Sequence, residues 1–324
     1  MKIAIIHNLP KKTRNSKDTL SDDEALEIAA KIKKLLNDTV NIYKFEYSIL
    51  PKLKEYDVVL NLAEKTYESP YHEYEIVKAL EENGITFTGS GSENIELTSN
   101  KDAIKKLLTD NNIVTPGYIV TDSPKKVNLK FPLIVKPVKE HGSIGINKDS
   151  FVNDMDELKA KVIMIKEKFK QESLIEEYIE GREINAAILD DEILPLSEIH
   201  FDFPEGEPKF LTYDSKWDST TIAYNHVRGI CPAVIDEHLE EEIKKITLKV
   251  FRLFSCSGYA RVDFRVRDNI PYVIDVNPNP CINDDAGFFN AAKAAGYDYE
   301  TTIKKIISAA MKKNIKGIQL DIKN

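Results

Sequence analysis

Two adjacent runs near the C-terminus alternate polar and apolar residues, Arg261-Val262-Asp263-Phe264-Arg265 and Val273-Ile274-Asp275-Val276-Asn277. A period of two predicts strands with one buried face, and Asp268-Asn269 between them reads as a turn. In the first third, apolar runs at residues 2–7, 40–45, 57–62 and 85–88 predict strands that alternate with helices. Ser21 and Glu24 form a capping-box pattern ahead of a stripe at Leu26, Ala29, Ile32, Leu35 and Leu36. A second helix from about Glu73 stops at Asn83-Gly84. This alternation predicts a small α/β domain with a mostly parallel sheet. Beyond residues 93–100 the pattern changes. Helices are predicted at 101–111 and 155–170, with strands at 118–121, 131–135 and 173–178 and a glycine loop at 141–145. Strands follow at 184–189 and 193–199, then an irregular polar stretch from Phe201 to about Cys231. Such a stretch is uncommon in a compact domain unless it is functional. A helix at 237–254, the hairpin, helices at 287–295 and 299–313, and a short tail from Ile315 complete the chain.

The hairpin carries the first candidate chemistry. With Asp268-Asn269-Ile270 as its loop, Arg267 faces Pro271, Phe264 faces Ile274, Asp263 faces Asp275 and Arg261 faces Asn277. Like charges directly opposite are destabilising, so removing one acid is expected to stabilise the unliganded protein. Two carboxylates and an amide oxygen could hold a hard divalent cation, with phosphate oxygens completing its shell. Arg261, on the same face, could grip a transferred phosphoryl group. The competing reading is a solvated face whose acids pair with Arg265 and Arg267.

Two further segments point to a nucleotide. Leu133-Ile134-Val135-Lys136-Pro137 puts a lysine at the end of an apolar strand, just before Gly142-Ser143-Ile144-Gly145. A lysine point charge and a loop of backbone N–H groups both suit phosphates. The strand at 174–178, followed by Gly181-Arg182-Glu183, could read adenine at its end and ribose hydroxyls through Glu183. An ordinary strand with charged ends is the alternative. No GxGxxG run is present, so the usual dinucleotide fingerprint is absent.

Composition narrows the partners. A net charge of −8 over 324 residues argues against nucleic acid, and Lys11-Lys12-Thr13-Arg14 reads as a solvated loop. Three cysteines without metal-ligand spacing suggest a reducing compartment, with cytoplasm the default. No apolar run approaches the roughly 20 residues of a membrane span.

The order of these parts resembles the ATP-grasp superfamily, and within it the D-alanine–D-alanine ligases. The resemblance rests on Thr88-Gly89-Ser90-Gly91, Asn100-Lys101, Ile134-Val135-Lys136-Pro137, Gly142-Ser143-Ile144-Gly145, Ile175-Glu176-Glu177, Gly181-Arg182-Glu183, Ser215-Lys216-Trp217, Arg261-Val262-Asp263 and Asp275-Val276-Asn277. It implies an α/β and α+β chain: a Rossmann-like domain at 1–96, a central ATP-grasp lobe at 97–183 and a C-terminal lobe at 184–324. The implied activity is ADP-forming ligation of a carboxylate to an amine through an acyl phosphate, with amino acids as substrates; a homodimer is one possible assembly, and the sequence does not fix the oligomeric state.

By the same resemblance, ATP would be bound by Lys101, Lys136, Ser143, Glu176, Glu177, Tyr178, Ile179 and Glu183. Asp263, Asp275 and Asn277 would hold two magnesium ions, or manganese in their place. Arg261 and Lys216 would be catalytic, Lys216 on a mobile loop over the γ-phosphate, with a backbone N–H near Cys281 as a second oxyanion donor. The rivals are a kinase-like ATP-grasp enzyme that phosphorylates a small molecule, and a nucleotide-binding regulatory protein without catalysis.

The departures fall on the substrate side. Ala63-Glu64-Lys65-Thr66-Tyr67-Glu68 replaces the family's His-Gly…Gly-Glu-Asp-Gly segment, and His141-Gly142-Ser143 replaces its paired serines. Trp217 stands for the loop tyrosine and Ala286 for the serine that receives the acceptor's carboxylate. These changes imply substrates other than D-alanine, with Asp284 or Asp285 available to a cationic group. Asp23 or Glu24 matches the family's amine-binding acid, and either equally suits a helix N-terminus. His226 and Arg228 flank the irregular stretch and read as surface residues of a polar loop, the alternative being a site for an acceptor carboxylate, and the Cys281 thiol reads as a bystander.

Overall fold

The computed structural model describes residues 1–8, 20–64, 72–124, 127–204, 206–218 and 220–321, without the side chains of 20–23, 217 and 314–321. The basic cluster at 11–14, residues 65–68 and the side chains of Ser21, Asp23 and Trp217 therefore lie outside the description.

The chain opens with β1 (Lys2–His7), α1 (Leu20–Leu35), β2 (Thr39–Lys44), α2 (Leu50–Leu53), β3 (Val58–Leu62), α3 (Glu73–Glu82) and α4 (Ser92–Thr98). The three strands are parallel in the order β2-β1-β3. Every residue of β1 after Lys2 is buried, because helices cover both faces of the sheet. The strand expected at 85–88 reduces to one parallel bridge, Val59 to Phe87. Gly89, at φ +90°, turns the chain away immediately after it.

Next come α5 (Lys101–Asp110), β4 (Tyr118–Thr121), β5 (Leu133–Pro137), β6 (Phe151–Val152), α6 (Met155–Phe169) and β7 (Ser173–Glu177). The strands form an antiparallel sheet in the order β4-β7-β5-β6. Asp154 caps α6 by accepting from the N–H groups of Asp156 and Glu157. Leu158, Val162 and Ile165 of α6 pack on the sheet. Lys161, only 3 % exposed, donates to Asn147 Oδ1 at 2.6 Å and to the Gly145 carbonyl at 3.3 Å, pinning the glycine loop to the helix. Burial pushes its pKa down to about 8.

The remainder is β8 (Arg182–Leu189), β9 (Glu192–Ile193), β10 (Ser197–Phe201), α7 (Tyr213–Trp217), α8 (Ile222–Asn225), β11 (Val227–Ile230), α9 (Glu237–Leu253), β12 (Tyr259–Arg267), β13 (Ile270–Asn277), α10 (Gly287–Ala294) and α11 (Tyr299–Asp321). Its sheet runs β11-β10-β8-β12-β13, with β9 against β8. The single strand expected at 193–199 splits into β9 and β10 around Pro195, which has no N–H to offer a ladder. The stretch from Phe201 is less irregular than expected, since it holds α7, α8 and β11. The backbone of α11 stays helical to Asp321, where a tail was expected.

The hairpin register departs from expectation and then recovers it. Asp268 and Asn269 both have positive φ, 53° and 59°, so they alone form the turn. Arg267 consequently faces Ile270, not Pro271, and Phe264 faces Val273, not Ile274. A bulge at Ile274 then inserts one residue and restores Asp263 opposite Asp275 and Arg261 opposite Asn277.

Two outcomes test this packing. Gly181 sits at φ +146° before β8, and a Cβ there would lie 2.0 Å from the Val266 carbonyl oxygen of β12. Gly181→Ala should lower unfolding free energy by about 3 kcal/mol in a denaturant titration; an unchanged midpoint would show that the turn moves aside freely. For Lys161, the unfolded chain keeps its proton to about pH 10.4, while the folded lysine releases it near 8. The unfolded state binds more protons in that window, so stability rises with pH there. The stability difference between the parent and Lys161→Gln should therefore grow from pH 8 to pH 10, and a flat difference would refute the shift.

Candidate active site

Every second residue of β8, β12 and β13 shares one sheet face, so three strands build the site row by row. Glu183 faces Arg265, Asn185 faces Asp263 with Asp275 beyond it, and Arg261 faces Asn277. Asp263 accepts a two-pronged contact from Arg261, at 2.6 and 2.9 Å, and bonds from Asn185 Nδ2 and Asn277 Nδ2, each 2.9 Å. Neither acid pairs with Arg265 or Arg267, which overturns the solvated-hairpin reading. Arg265 is 5 % exposed and binds Glu183, the Ile179 and Lys209 carbonyls and the Tyr178 ring. Arg267 lies outside over Tyr272.

Asp275 is compensated from other elements. Burial works against its charge, but Lys101, Lys136, His141 and Lys105 hold its pKa below the ordinary carboxylate value. The same lysines trap Glu176, whose carboxylate lies 2.6 Å from Lys105 and 2.5 Å from Lys136. Lys105 was missed by the sequence reading. It is 1 % exposed and also donates to Thr115 and to the Val273 and Ile274 carbonyls at the bulge. A signal existed, because Lys101, Ile104, Lys105 and Leu108 fall on one face of α5. Two lysines on a buried stripe mark a purpose other than solvation.

These cations crowd one another. Burial, aided by the neighbouring positive charge of Lys136, lowers Lys101 to about pKa 8 and lowers Lys105 as well. Burial and the Arg261 charge do the same to Lys216. Lys136 alone gains, since Glu176 and Asp275 outweigh its burial. Glu183 is raised by burial against the pull of Arg265. An arriving polyanion would relieve the repulsion among the lysines.

The charged row opens on a cleft with about 740 Å³ of empty space, including its mouth. Lys136, Ser143, Glu176, Glu177, Tyr178, Ile179, Glu183, Lys216, Asp263 and Asp275 line it, together with an apolar wall of Ile134, Ile146, Phe210, Leu211 and Ile274. Lys101, Arg261 and Asn277 stand behind this lining. Lys101 donates to the Glu140 carbonyl, and the other two contact Asp263. The short helix α7, carrying Lys216, leans on the glycine loop through Tyr213 N–H to the Ile146 carbonyl, 2.9 Å. Among the described residues no three His, Cys, Asp or Glu side chains cluster as metal ligands. Two carboxylates and one amide still form a hard-oxygen set suited to magnesium that shares its shell with phosphate.

Other candidates fall elsewhere. Asp284 is engaged by Lys31 and is not held open for a cation. His226 turns its ring onto the Ile222 carbonyl, and Arg228 is exposed on β11. Burial pushes the Cys281 thiol up to about 12, so it stays neutral.

Comparison with known proteins agrees with this geometry. Residues 119–308 match the family model for the D-Ala–D-Ala ligase C-terminus. A D-alanine–D-alanine ligase from Pseudothermotoga lettingae is 31% identical over 87% of the chain and 91% of that protein. An uncharacterized protein, y4sG, from Sinorhizobium fredii is 33% identical over 80% of the chain and 76% of its own length. The crystal structure of D-alanine–D-alanine ligase from Bacillus anthracis complexed with ATP superposes with TM-score 0.76 at 26% identity, covering 98% of this chain and 99% of that one. No described helix is long and apolar enough to cross a membrane. The chain belongs to the D-alanine–D-alanine ligase family and is an ATP-grasp, ADP-forming carbon–nitrogen ligase.

Proposed function

We propose that this enzyme joins an amino-acid carboxylate to an amine through an acyl phosphate, and that its best pair is not two D-alanines. The observation that carries the reading is the row of Arg261, Asp263, Asp275 and Asn277 beside a cleft lined by Lys136 and Lys216, with Lys101 and Lys105 buried behind it. Lys101, Lys136 and the loop around Ser143 would hold the phosphates. The strand end from Glu176 to Ile179 would frame the adenine, and Glu183 the ribose. Asp263, Asp275 and Asn277 would hold two magnesium ions, which neutralise charge on the phosphoryl group in transit. Arg261 uses two of its N–H groups on Asp263, leaving others for the acyl phosphate and the oxyanion formed when the amine attacks. Lys216, on α7, would close over the transferred group and exclude water. We read the division at residues 96 and 183 as lobes that clasp the nucleotide. Three free cysteines support work in a reducing compartment such as the cytoplasm.

Altered substrates are supported by the substrate-side positions. Ala286 is the N-cap of α10 and has no hydroxyl for a ligand carboxylate. Gly142, at φ +60°, has none either. Each lost charge-assisted hydrogen bond removes about 1.5–3 kcal/mol.

The test is ADP release with MgATP and a panel of amino acids, singly and in pairs. Release should require an amine, and D-alanine alone should be a poor substrate. Arg261→Met should lower kcat at least 10²-fold, and Asp275→Asn should weaken magnesium dependence and remove nearly all turnover. Contrary to the sequence-based expectation, Asp275→Asn should also lower the unfolding midpoint of the unliganded protein, because Lys101 and Lys136 lose a counter-charge. Efficient D-alanyl-D-alanine synthesis with no better pair would defeat the substrate proposal, and amine-independent ADP release would favour a phosphorylating enzyme.

A further inference from the structure

A second cavity, with about 650 Å³ of empty space, lies at the other end of the same sheet face. On β12, Tyr259 precedes Arg261 by two residues and Asp263 by four, so all three side chains point to one side. Beyond β13, Asn279 continues the line of Asp275 and Asn277. Tyr259 and Asn279 line this cavity, while Asp263 and Asp275 line the nucleotide cleft. Arg261 and Asn277 stand between the two spaces.

Three carboxylates line the second cavity: Glu24 from α1, Glu64 after β3 and Glu73 at the start of α3. Among the described residues no lysine, arginine or histidine lines it. Glu73 accepts from Asn279 Nδ2 at 2.6 Å. Glu24 accepts from Asn283 Nδ2 at 3.1 Å, with the Cys281 thiol 3.8 Å away. These partners are neutral, so they satisfy geometry without cancelling charge, and burial pushes Glu73 up to about 7 and raises Glu24. A separate observation points to a ligand. Tyr259 is 3 % exposed, yet its hydroxyl makes no hydrogen bond among the described residues and senses the charges of Glu73 and Glu64. A hydroxyl that opens on a cavity without a partner among the described residues is free to bond a ligand there. Ile28, Leu62 and Ile282 add apolar surface to the same lining.

We infer that this cavity binds a molecule with two protonated amines joined by methylenes, a diamino acid or diamine, with one ammonium on Glu24 and the other at Glu73 and the Tyr259 hydroxyl. Carboxylates on two different walls, α1 and α3, ask for two cations. The apolar part of the lining suits the connecting methylenes. That the molecule is one of the two joined by the enzyme rests on the ligase reading above; that it binds here rests on the cavity alone.

Calorimetric titration of the full chain, with magnesium and a non-hydrolysable ATP analogue present, decides the matter. Lysine, ornithine and cadaverine are the probes, both enantiomers where they exist, and norleucine and alanine are the neutral controls. At least one dibasic probe should bind tenfold or more tightly than norleucine. Glu73→Gln, which keeps the shape, should erase that preference, and Tyr259→Phe should reduce it if the glutamine variant does not fold. Norleucine binding as tightly as every dibasic probe, or a preference that survives in both variants, would overturn the inference. ADP release separates the two readings. Dibasic binding without dibasic-dependent release leaves the cavity assignment standing and defeats the claim that the bound molecule is one of the two joined, whereas release driven by neutral amino acids, with no dibasic probe bound, defeats the cavity assignment.

Discussion

Two carboxylates directly opposite each other on one hairpin are the constraint around which this molecule is organised. Asp263 and Asp275 would repel if left alone, and neither is left alone. Asp263 is closed in by Arg261, Asn185 and Asn277 from its own sheet. Asp275 depends on lysines from α5 and β5, which belong to other parts of the chain. The hairpin therefore reaches its working charge balance only when the central sheet and α5 are docked against it.

Lys105 shows how tightly this docking is made. One ammonium bridges Glu176 of β7, Thr115 and the two carbonyls at the β13 bulge. Removing one member of such a buried group leaves its partners uncompensated, so the charge network and the fold share the same bonds. Above this frame sit the more lightly held pieces. The glycine loop is tied by Lys161, and α7 leans on it through the Tyr213 N–H. A rigid charged floor under lightly tied loops suits a reaction that must admit substrates and then exclude water.

The two cavities divide the chemistry along one strand. The lining of the cleft near Asp263 mixes Lys136, Lys216 and Arg265 with five carboxylates, while the described lining of the space near Tyr259 carries carboxylates and no lysine or arginine. Arg261, at the boundary, is where their ligands would meet.

The sequence alone determined much of this. Period-two alternation located β12 and β13, helix stops such as Asn83-Gly84 located element ends, and the ordered motifs located the lysines, acids and glycine loop. These signals are local, set by backbone geometry and burial within a few residues. The register of the hairpin was reached by two compensating errors. A three-residue loop was assumed where Asp268-Asn269 turns alone, and the bulge at Ile274 restores the pairing. A bulge depends on what packs across the strands, and here Lys105 reaches it from 169 residues away in the chain. Tertiary structure also decided that Arg261 and not Arg265 neutralises Asp263, since Glu183 on β8 claims Arg265. It likewise gathered Glu24, Glu73 and Tyr259 around one cavity. Their neighbours come from distant segments, and no periodicity along the chain encodes a partner that only the folded sheet brings into reach.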